Sequence, residues 1–236
     1  MSSLIEIKNV YKIYNPGENE VRALDGVSLK IENGEFVAII GQSGSGKSTL
    51  MNMIGMLDKC TSGEYYMDGI DVLNMTDNQM SEIRNKKIGF IFQGFNLISS
   101  LTAKGNVELP LIYRGMKKQE RENLSQQALE MVGLKNRINH RPSQMSGGQQ
   151  QRVAIARALM NNPEIILADE PIGNLDSKTG TEIMLLLQKI NREEGKTIVQ
   201  VTHSRESANY GTDLIMVKDG EINHIEENIQ DVQVAL

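Results

Sequence analysis

The order of apolar and polar residues along the chain separates regions of strand periodicity from regions of helix periodicity. Apolar residues alternate with polar ones over 4–7 and 27–31, which predicts strands with one buried face. The continuous apolar run Phe36–Ile40 is bounded by glycines and predicts a strand that is buried on both faces. We expect a helix over 47–57, directly after the glycine-rich segment that follows this run.

Helical spacing takes over between about Phe95 and Met160. In this region Leu124, Ala128 and Leu129 share one helical face, and Gly133 is a stop signal. Alternation of strand and helix then returns, which predicts a parallel α/β core interrupted by a mostly helical insert. The predicted elements after the insert are strands at 165–168, 197–202 and 214–218 and a helix over 177–193.

The composition fits a globular protein that is not built to hold nucleic acid. Of the 236 residues 39% are hydrophobic, and the net charge is -5, which allows a sizeable core and disfavours binding to a phosphate backbone. The lone Cys60 excludes an internal disulfide and indicates a reducing compartment. The first residues do not resemble a signal peptide, and no apolar stretch approaches the roughly 20 residues that span a bilayer. If the protein works at a membrane, we expect another chain to hold it there.

A glycine-rich loop follows the predicted buried strand. The sequence G-Q-S-G-S-G-K-S at Gly41–Ser48 matches the phosphate-binding pattern G-x-x-x-x-G-K-[ST] at every fixed position. Its backbone amides would surround phosphates, Lys47 would neutralise their charge, and the Ser48 hydroxyl would ligate Mg²⁺. A flexible turn is the alternative, and the position between strand and helix disfavours it. The predicted nucleotide-binding residues of this loop are Gly41, Ser43, Gly44, Ser45, Gly46, Lys47, Ser48 and Thr49.

Polar residues whose side chains could take part in catalysis lie at the ends of three other predicted strands. Asp169 and Glu170 end an apolar strand, where Asp169 would reach Mg²⁺ and Glu170 would polarise the attacking water. Gln93 would touch Mg²⁺ or that water when ATP is bound, although the segment alone favours an ordinary polar strand end. His203 ends a strand at the same sheet edge as Asp169, and its imidazole would bind the γ-phosphate, although a lone histidine is usually structural.

A second pair of glycines opens a later helix, in M-S-G-G-Q at 145–149. Ser146 is predicted to cap this helix, with the Gly147 and Gly148 amides pointing out of its first turn. Two interpretations remain equal for the segment alone, a capped helix with a flexible entry and a second phosphate site.

The ordered motifs resemble those of the nucleotide-binding subunit of ATP-binding-cassette (ABC) transporters, over nearly the whole chain. That resemblance implies an α/β P-loop NTPase core with a RecA-like parallel sheet, an N-terminal antiparallel β subdomain and an inserted α-helical signature subdomain. It implies one ATPase domain over 1–225, with the helical part at about 95–160, and a short C-terminal tail over 226–236. The motifs in order are Walker A at Gly41–Ser48, the Q-loop Gln93, the signature Ser146–Gln149, Walker B ending at Asp169–Glu170, G-N-L-D at Gly173–Asp176 and the switch His203.

The same resemblance implies that each ATP lies between two copies of the chain. Ser146, Gly147, Gly148 and Gln149 of one copy would bind ATP held by Lys47 of the other. Asp176 would help to couple the two sites. An aromatic residue near the N-terminus would stack on adenine; Tyr14 matches that position, and spacing alone does not exclude its neighbour Tyr11.

Several stretches are similar to the macrolide-exporter and lipoprotein-releasing branch, which also contains a cell-division ATPase. Three residues depart from the usual family pattern: Met145 stands for Leu, Ile172 for Thr and Ser204 for Asp. Met145 keeps an apolar side chain. Ile172 removes a hydroxyl near Glu170, and Ser204 keeps a helix cap without its charge. We expect Ile172 and Ser204 to affect the rate of ATP turnover and the geometry of the loops that carry them.

The leading hypothesis is a motor subunit that binds ATP and Mg²⁺, closes as a homodimer and drives a separate transmembrane permease. The branch implies export or extraction of a peptide, lipoprotein or drug-like substrate, a permease of the macrolide-exporter or cell-division type, and in some systems a membrane-fusion adaptor. Phe95, Leu97 and Ile98 beside the Q-loop are the predicted permease contacts. The protein would lie in the cytoplasm on the inner face of the membrane.

Two other functions stay open at this point. A division-type ATPase would signal through its membrane partner without moving a substrate, and its motifs would be identical. A soluble cassette ATPase acting on DNA or ribosomes is disfavoured by the acidic charge, the single cassette and the absence of long heptad repeats.

Overall fold

The chain folds around two β-sheets. A computed structural model describes residues 3–17 and 19–227. The first sheet is antiparallel, with strand order β2-β1-β4-β5, and forms the N-terminal β subdomain expected from the family resemblance. Its strands are β1 Ile5–Tyr14, β2 Val21–Ile31, β4 Ser62–Met67 and β5 Ile70–Asp71.

The second sheet has the order β10-β9-β3-β8-β7-β6. Neighbouring strands from β9 to β6 run parallel, and β10 pairs with β9 in the antiparallel direction. The α/β fold class is therefore confirmed. The bounds are β3 Phe36–Ile40, β6 Ile88–Ile91, β7 Ile165–Asp169, β8 Thr197–Thr202, β9 Asp213–Lys218 and β10 Glu221–Glu227.

Helices cover the second sheet and build the insert. The predicted helix over 47–57 ends earlier, at Ile54, because the chain turns at Gly55 and Met56 takes a left-handed φ of 54°. The sequence interpretation did not include α2, which a capping box at Thr76 and Gln79 starts. The helices are α1 Lys47–Ile54, α2 Asp77–Lys87, α3 Ala103–Tyr113, α4 Lys118–Met131, α5 Gly147–Leu159, α6 Ser177–Glu194 and α7 Arg205–Ala208, with 3₁₀ turns at Lys135–Arg137 and Pro142–Gln144.

The parallel strands separate two large apolar clusters of the core, and a smaller third cluster contains Ala38, Ile40, Ala208 and Leu214. Along β7, Ile165 and Leu167 face a cluster shared with α1 and the antiparallel sheet, and Ile166 and Ala168 face one shared with α5 and α6. The helical insert thus packs on one face of the sheet and the β subdomain on the other. The carboxyl ends of β3, β7 and β8 meet at one edge, and the loops there carry the candidate site.

Two expectations concern the ends of the chain and the membrane. The last strand reaches Glu227, and the rest of the predicted C-terminal tail, 228–236, lies outside the described residues. In the described part of the chain, no helix combines the length and the apolar character that crossing a bilayer requires.

Candidate functional site

The glycine-rich loop lies between β3 and α1 and touches the β9–β10 turn. A β-carbon on Gly41 would lie 2.1 Å from the Val217 carbonyl oxygen, and one on Gly46 would lie 2.4 Å from that of Ala23. Gly46 also has a left-handed φ of 105°. Both positions therefore require glycine, and the loop is a tight backbone turn at the start of α1, where amide groups are free to bind an anion.

Lys47 is folded back over this loop. Its ammonium group donates to the Gln42 carbonyl oxygen at 2.6 Å, and the residue is only 8% exposed. Burial lowers the pKa of the Lys47 ammonium, and the charges of Glu170 and Asp169 oppose that shift. A buried cation is costly without an anion, so this loop fits a phosphate group.

The three predicted metal ligands offer oxygen atoms of different kinds. They are the Ser48 hydroxyl, the Gln93 amide and the Asp169 carboxylate. Burial raises the pKa of the Asp169 carboxyl, the charge of Glu170 raises it further, and Lys47 opposes both. No cluster of three or more His, Cys, Asp or Glu side chains suited to a metal occurs among the described residues. A set with one carboxylate fits Mg²⁺, which usually completes its shell with water and substrate phosphate oxygens.

Glu170 follows β7 in a strained conformation, with a φ of 43°. Its Oε1 accepts from the His203 amide at 2.9 Å and lies 2.7 Å from His203 Nδ1, and its Oε2 accepts from the Thr202 hydroxyl at 3.1 Å. Glu170 and His203 meet because β7 and β8 are neighbours in the sheet. The sequence predicted that His203 shares a sheet edge with Asp169, and did not predict this contact with Glu170. The role of Thr202 was not predicted, because its alternation marks it only as a strand residue.

Gln93 lies against the loop that follows Glu170. A β-carbon on Gly173 would lie 2.8 Å from Gln93 Nε2, and the side-chain Nδ2 of Asn174 donates to the backbone carbonyl oxygen of Gln93 at 2.9 Å. The Q-loop and the G-N-L-D loop are therefore in direct contact.

The signature segment starts α5 with a full capping box. The Gln149 amide donates to the Ser146 hydroxyl at 3.3 Å, and the Ser146 amide donates to Gln149 Oε1 at 3.1 Å. Ser146 is thus the helix cap that the sequence predicted. A β-carbon on Gly148 would lie 2.2 Å from Thr179 Cγ2, and one on Gly147 would lie 3.1 Å from Leu175. Packing within the chain therefore requires at least the second glycine, whatever else the pair binds.

The structure distinguishes the two N-terminal tyrosines by their neighbours. Tyr11 packs on Gly26, where an added β-carbon would lie 3.2 Å from its hydroxyl. Tyr14 is 39% exposed and donates to Asp58 Oδ2 at 2.6 Å. Burial and the Asp58 carboxylate raise the pKa of Tyr14, and the nearby Thr49 side chain lowers it. Tyr14 is therefore the tyrosine beside α1 and its glycine-rich loop.

Asp176 caps α6, because its carboxylate accepts from the amide and the hydroxyl of Thr179 at 3.0 and 2.6 Å. The Thr179 hydroxyl holds the pKa of this carboxyl below its ordinary value. Ile172 packs its side chain towards Gly180 in the same helix. Ser204 caps α7 by accepting from the Ser207 amide at 3.2 Å, so the cap survives the departure from Asp.

An open groove lies beside the Q-loop, and its lining differs from the permease contacts that the sequence predicted. Of the three predicted residues, Phe95 lies near Gly147 and Leu97 packs on the core, whereas Ile98 is 46% exposed. None of the three lines the groove, whereas Asn96, which shares the left-handed turn with Phe95, does. Its lining includes Leu57, Phe90, Phe92, Leu109, Tyr113 and Arg157.

Comparisons with known proteins agree with this arrangement. A family profile described as "ABC transporter" matches residues 24–173. An ABC transporter ATP-binding protein of Thermotoga maritima is 53% identical over 96% of both chains. The macrolide export ATP-binding/permease protein MacB of Aggregatibacter actinomycetemcomitans is also 53% identical, over 93% of this chain and 34% of its own length.

A solved structure gives the same result in three dimensions. The dimeric post-hydrolysis state of the ATP-binding cassette MJ0796, bound to ADP and Pi, has a TM-score of 0.88 and 53% identity over 96% of this chain and 99% of that one. The P-loop NTPase fold predicted from the motifs is therefore confirmed. The chain belongs to the ABC transporter family, as an ATP-binding subunit with ATPase activity.

Proposed function

We propose that this chain is the ATP-driven motor of a transporter, in which two copies close around ATP and act on a separate membrane permease. The observation that carries the proposal is the meeting of Lys47, Asp169, Glu170 and His203 at one sheet edge, while the signature glycines pack elsewhere. The nearest atoms around those glycines belong to Phe95, Leu175 and Thr179. One copy therefore supplies the catalytic edge, and a second copy supplies the signature.

Within each site the residues have separate tasks. Lys47 and the loop amides bind the β- and γ-phosphates, and Tyr14 stacks on adenine, with Thr49 beside it. Ser48, Gln93 and Asp169 would hold Mg²⁺, which would supply positive charge against the charge that develops on the phosphates. Glu170 polarises the attacking water, and His203 positions the γ-phosphate. The signature Ser146, Gly147, Gly148 and Gln149 close the site from the second copy, and Asp176 links the two sites.

The similarity to MacB supports a permease as the partner of the motor, because the name of that protein combines an ATP-binding part with a permease. In this chain the permease would be a separate protein of the macrolide-exporter type, with a membrane-fusion adaptor where the system spans two membranes. The substrate class would be a peptide, a lipoprotein or a drug-like compound, exported or extracted from the membrane. The motor would then lie on the cytoplasmic face of the membrane.

The first test replaces the water-polarising carboxylate. Glu170→Gln keeps the shape of the side chain and removes the base, so we expect ATP binding to persist and an ATP-bound dimer to accumulate. The measurements are ATP turnover and molecular mass by light scattering, with Glu206→Gln on α7 as the control. A Glu170→Gln protein that hydrolyses ATP at the normal rate would refute the role of Glu170.

The second test asks whether each site is shared between copies. Ser146→Arg spoils the signature and Lys47→Ala spoils the phosphate loop, so neither variant alone should form an ATP-bound dimer. In an equal mixture, a dimer with one copy of each variant has one complete site. That site combines the intact loop of the Ser146→Arg copy with the intact signature of the Lys47→Ala copy. We expect the mixture to recover dimerisation and part of the ATPase activity. If the mixture stays as inactive as its components, the shared site is wrong.

The third test concerns the permease. Co-purification with a membrane protein encoded beside this chain, followed by ATPase assays with candidate compounds, identifies the transported class. Stimulation by a peptide, lipoprotein or drug supports transport. A partner that changes ATPase activity without any transported compound favours the signalling alternative.

A further inference from the structure

Three buried glutamines share one hydrogen-bonding pattern. They are Gln151 in α5, Gln188 in α6 and Gln200 in β8, and none is more than 7% exposed. The Nε2 of each donates to a backbone carbonyl oxygen, and the Oε1 of each has no hydrogen-bond partner among the described residues. Because a carbonyl oxygen only accepts, the amide group has to face it with Nε2. A buried polar atom without a partner is costly, so the donated bond is the feature that favours glutamine over an apolar residue here.

Gln151 differs from the similarly buried Gln188 in the carbonyl group that it holds. Its Nε2 donates to the Pro171 carbonyl oxygen at 2.5 Å, and Pro171 directly follows Glu170 in the chain. Gln188 donates to the Tyr210 carbonyl oxygen at 2.9 Å, beyond the end of α7. The two side chains therefore make the same bond in different places. Of the two, Gln151 holds the backbone beside a predicted catalytic residue.

The backbone of Glu170 needs support because its conformation is unfavourable. Its φ is 43°, whereas a proline at the next position favours an extended backbone. Such a conformation persists where the surrounding bonds hold it. The Glu170 amide donates to the Val201 carbonyl oxygen at 2.9 Å, and the Gly173 amide donates to the Glu170 carbonyl oxygen at 3.0 Å. The bond from Gln151 fixes the next carbonyl group along the chain, that of Pro171.

The Pro171 carbonyl group lies between two turns that do not use it. The first turn closes on the Glu170 carbonyl oxygen, and the second closes on that of Ile172, which accepts from the Leu175 amide at 3.0 Å. In the described part of the chain, no backbone amide donates to the carbonyl oxygen of the buried Pro171. A buried carbonyl group without a donor is unfavourable. Gln151 thus supplies, from another helix, the bond that the turns leave unmade.

We propose that Gln151 is a positioning residue for Glu170, because its bond to the Pro171 carbonyl oxygen holds the loop in the conformation from which the carboxylate reaches the attacking water. The inference rests on the proposed role of Glu170 and adds a residue that acts on it through the backbone. Gln151 lies about one turn after Gly147, the first residue of α5. The helix that would close the ATP site of another copy therefore also holds the catalytic loop of its own chain.

The first variant removes the donor and keeps the length of the side chain. For Gln151→Met we expect kcat for ATP hydrolysis to fall about tenfold or more, since a misplacement of about 1 Å can cost a rate about 100-fold. KM for ATP should stay within about twofold, because the phosphate loop and Tyr14 are unaltered. The measurements are steady-state ATPase kinetics and light scattering, in which an ATP-bound dimer should accumulate. A kcat equal to that of the unaltered protein would overturn the proposal.

Gln188→Met is the matched control. It removes the same kind of bond and the same unpartnered Oε1 from a residue that is similarly buried. In thermal unfolding it should change Tm about as much as Gln151→Met does, and it should leave kcat unaltered. If both variants lose kcat to the same extent, the loss comes from a general loosening of the core, and the positioning role is wrong.

Gln151→Asn separates the hydrogen bond from the filling of space. Asparagine keeps the amide group but is one methylene shorter, so its donor does not reach the Pro171 carbonyl oxygen. Both Gln151→Met and Gln151→Asn should therefore lose kcat. Loss in the asparagine variant alone would assign the effect to packing and contradict the proposal. If Gln151→Met does not fold, Gln151→Asn carries the test, and a normal kcat in that variant overturns the proposal.

Glu170→Gln separates this inference from the role on which it rests. If Glu170→Gln hydrolyses ATP at the normal rate, the role of Glu170 fails and the inference fails with it. If Glu170→Gln is inactive and Gln151→Met turns over normally, only the positioning role fails. In the Glu170→Gln background, Gln151→Met should change the residual single-turnover rate by less than about twofold, because both changes act on one carboxylate. A further tenfold loss would show that Gln151 acts elsewhere.

Discussion

Replacing Gly148 by alanine tests whether the signature glycine is needed for packing inside one chain. The added β-carbon would lie 2.2 Å from Thr179 Cγ2, far inside van der Waals contact. Thr179 cannot easily rotate its methyl group away, because its hydroxyl is held by the Asp176 carboxylate at 2.6 Å. The clash therefore has to be relieved by moving α5 against α6.

The expected loss of stability follows from two opposing effects. Overpacking by one methyl group costs about 1–3 kcal/mol, whereas alanine is favoured over glycine in a helix by up to about 1 kcal/mol. The net loss is about 1–2 kcal/mol, and each kcal/mol lowers Tm by about 2–4 °C in a chain of this size. We therefore expect Gly148→Ala to melt about 2–8 °C below the unaltered protein.

The assay measures thermal unfolding and then ATP-driven dimerisation. It compares four proteins: the unaltered protein, Gly148→Ala, Thr179→Ser and the double variant. Thr179→Ser removes the clashing methyl group and keeps the hydroxyl that Asp176 holds, so the double variant Gly148→Ala/Thr179→Ser should regain the lost Tm. If the repaired double variant still fails to dimerise with ATP, Gly148 has a second task at the interface between copies. A Gly148→Ala protein that melts at or above the temperature of the unaltered protein would refute the packing argument.

Three further predictions concern side chains with defined neighbours. Ile172→Thr should lower Tm slightly, at a cost of about 1 kcal/mol for the lost apolar contact, and leave ATP turnover equal or higher in a steady-state assay. Tyr65→Phe should cost about 1–3 kcal/mol in denaturant unfolding, because its buried hydroxyl donates to the Ile54 carbonyl oxygen at 2.6 Å. Tyr14→Ala should raise KM for ATP with little change in kcat, whereas Tyr11→Ala should lower Tm and leave KM unchanged; the reverse pattern would exchange their roles.

The sequence predicted elements where one local signal dominates. The apolar run Phe36–Ile40 and the alternating run Thr197–Thr202 became strands with those bounds, since burial and periodicity decide them. The position of His203 at the same sheet edge as Asp169 was also predicted, because both residues lie at the ends of strands in a parallel sheet. Helix ends were less accurate, as at Ile54, because a left-handed turn at Met56 carries no clear sequence signal.

The remaining features depend on contacts between distant segments. The spacing of residues does not predict that Thr179 packs on Gly148 or that Gln93 lies against Gly173. Nor does it predict that the Arg157 guanidinium donates to the backbone carbonyl oxygens of Phe95 and Asn96. The predicted permease contacts Phe95, Leu97 and Ile98 stay a prediction, and none of them lines the groove beside the Q-loop. The same holds for Gly147 and Gly148 of the signature. The glycine pair predicts that another group lies close to this backbone, but it does not predict whether that group belongs to a ligand or to a helix of the same chain.

The contact between Glu170 and His203 limits how both can act on ATP. An ionised carboxylate only accepts hydrogen bonds, so His203 Nδ1 must donate to Glu170 Oε1 at their distance of 2.7 Å. A neutral imidazole has one donor, and its Nε2 then cannot donate to a γ-phosphate. A neutral His203 that binds the γ-phosphate as proposed therefore has to give up its contact with Glu170. With the roles proposed above, breaking the contact would free an Oε1 lone pair for the attacking water, and Glu170 would become an active base only after His203 has turned to the phosphate.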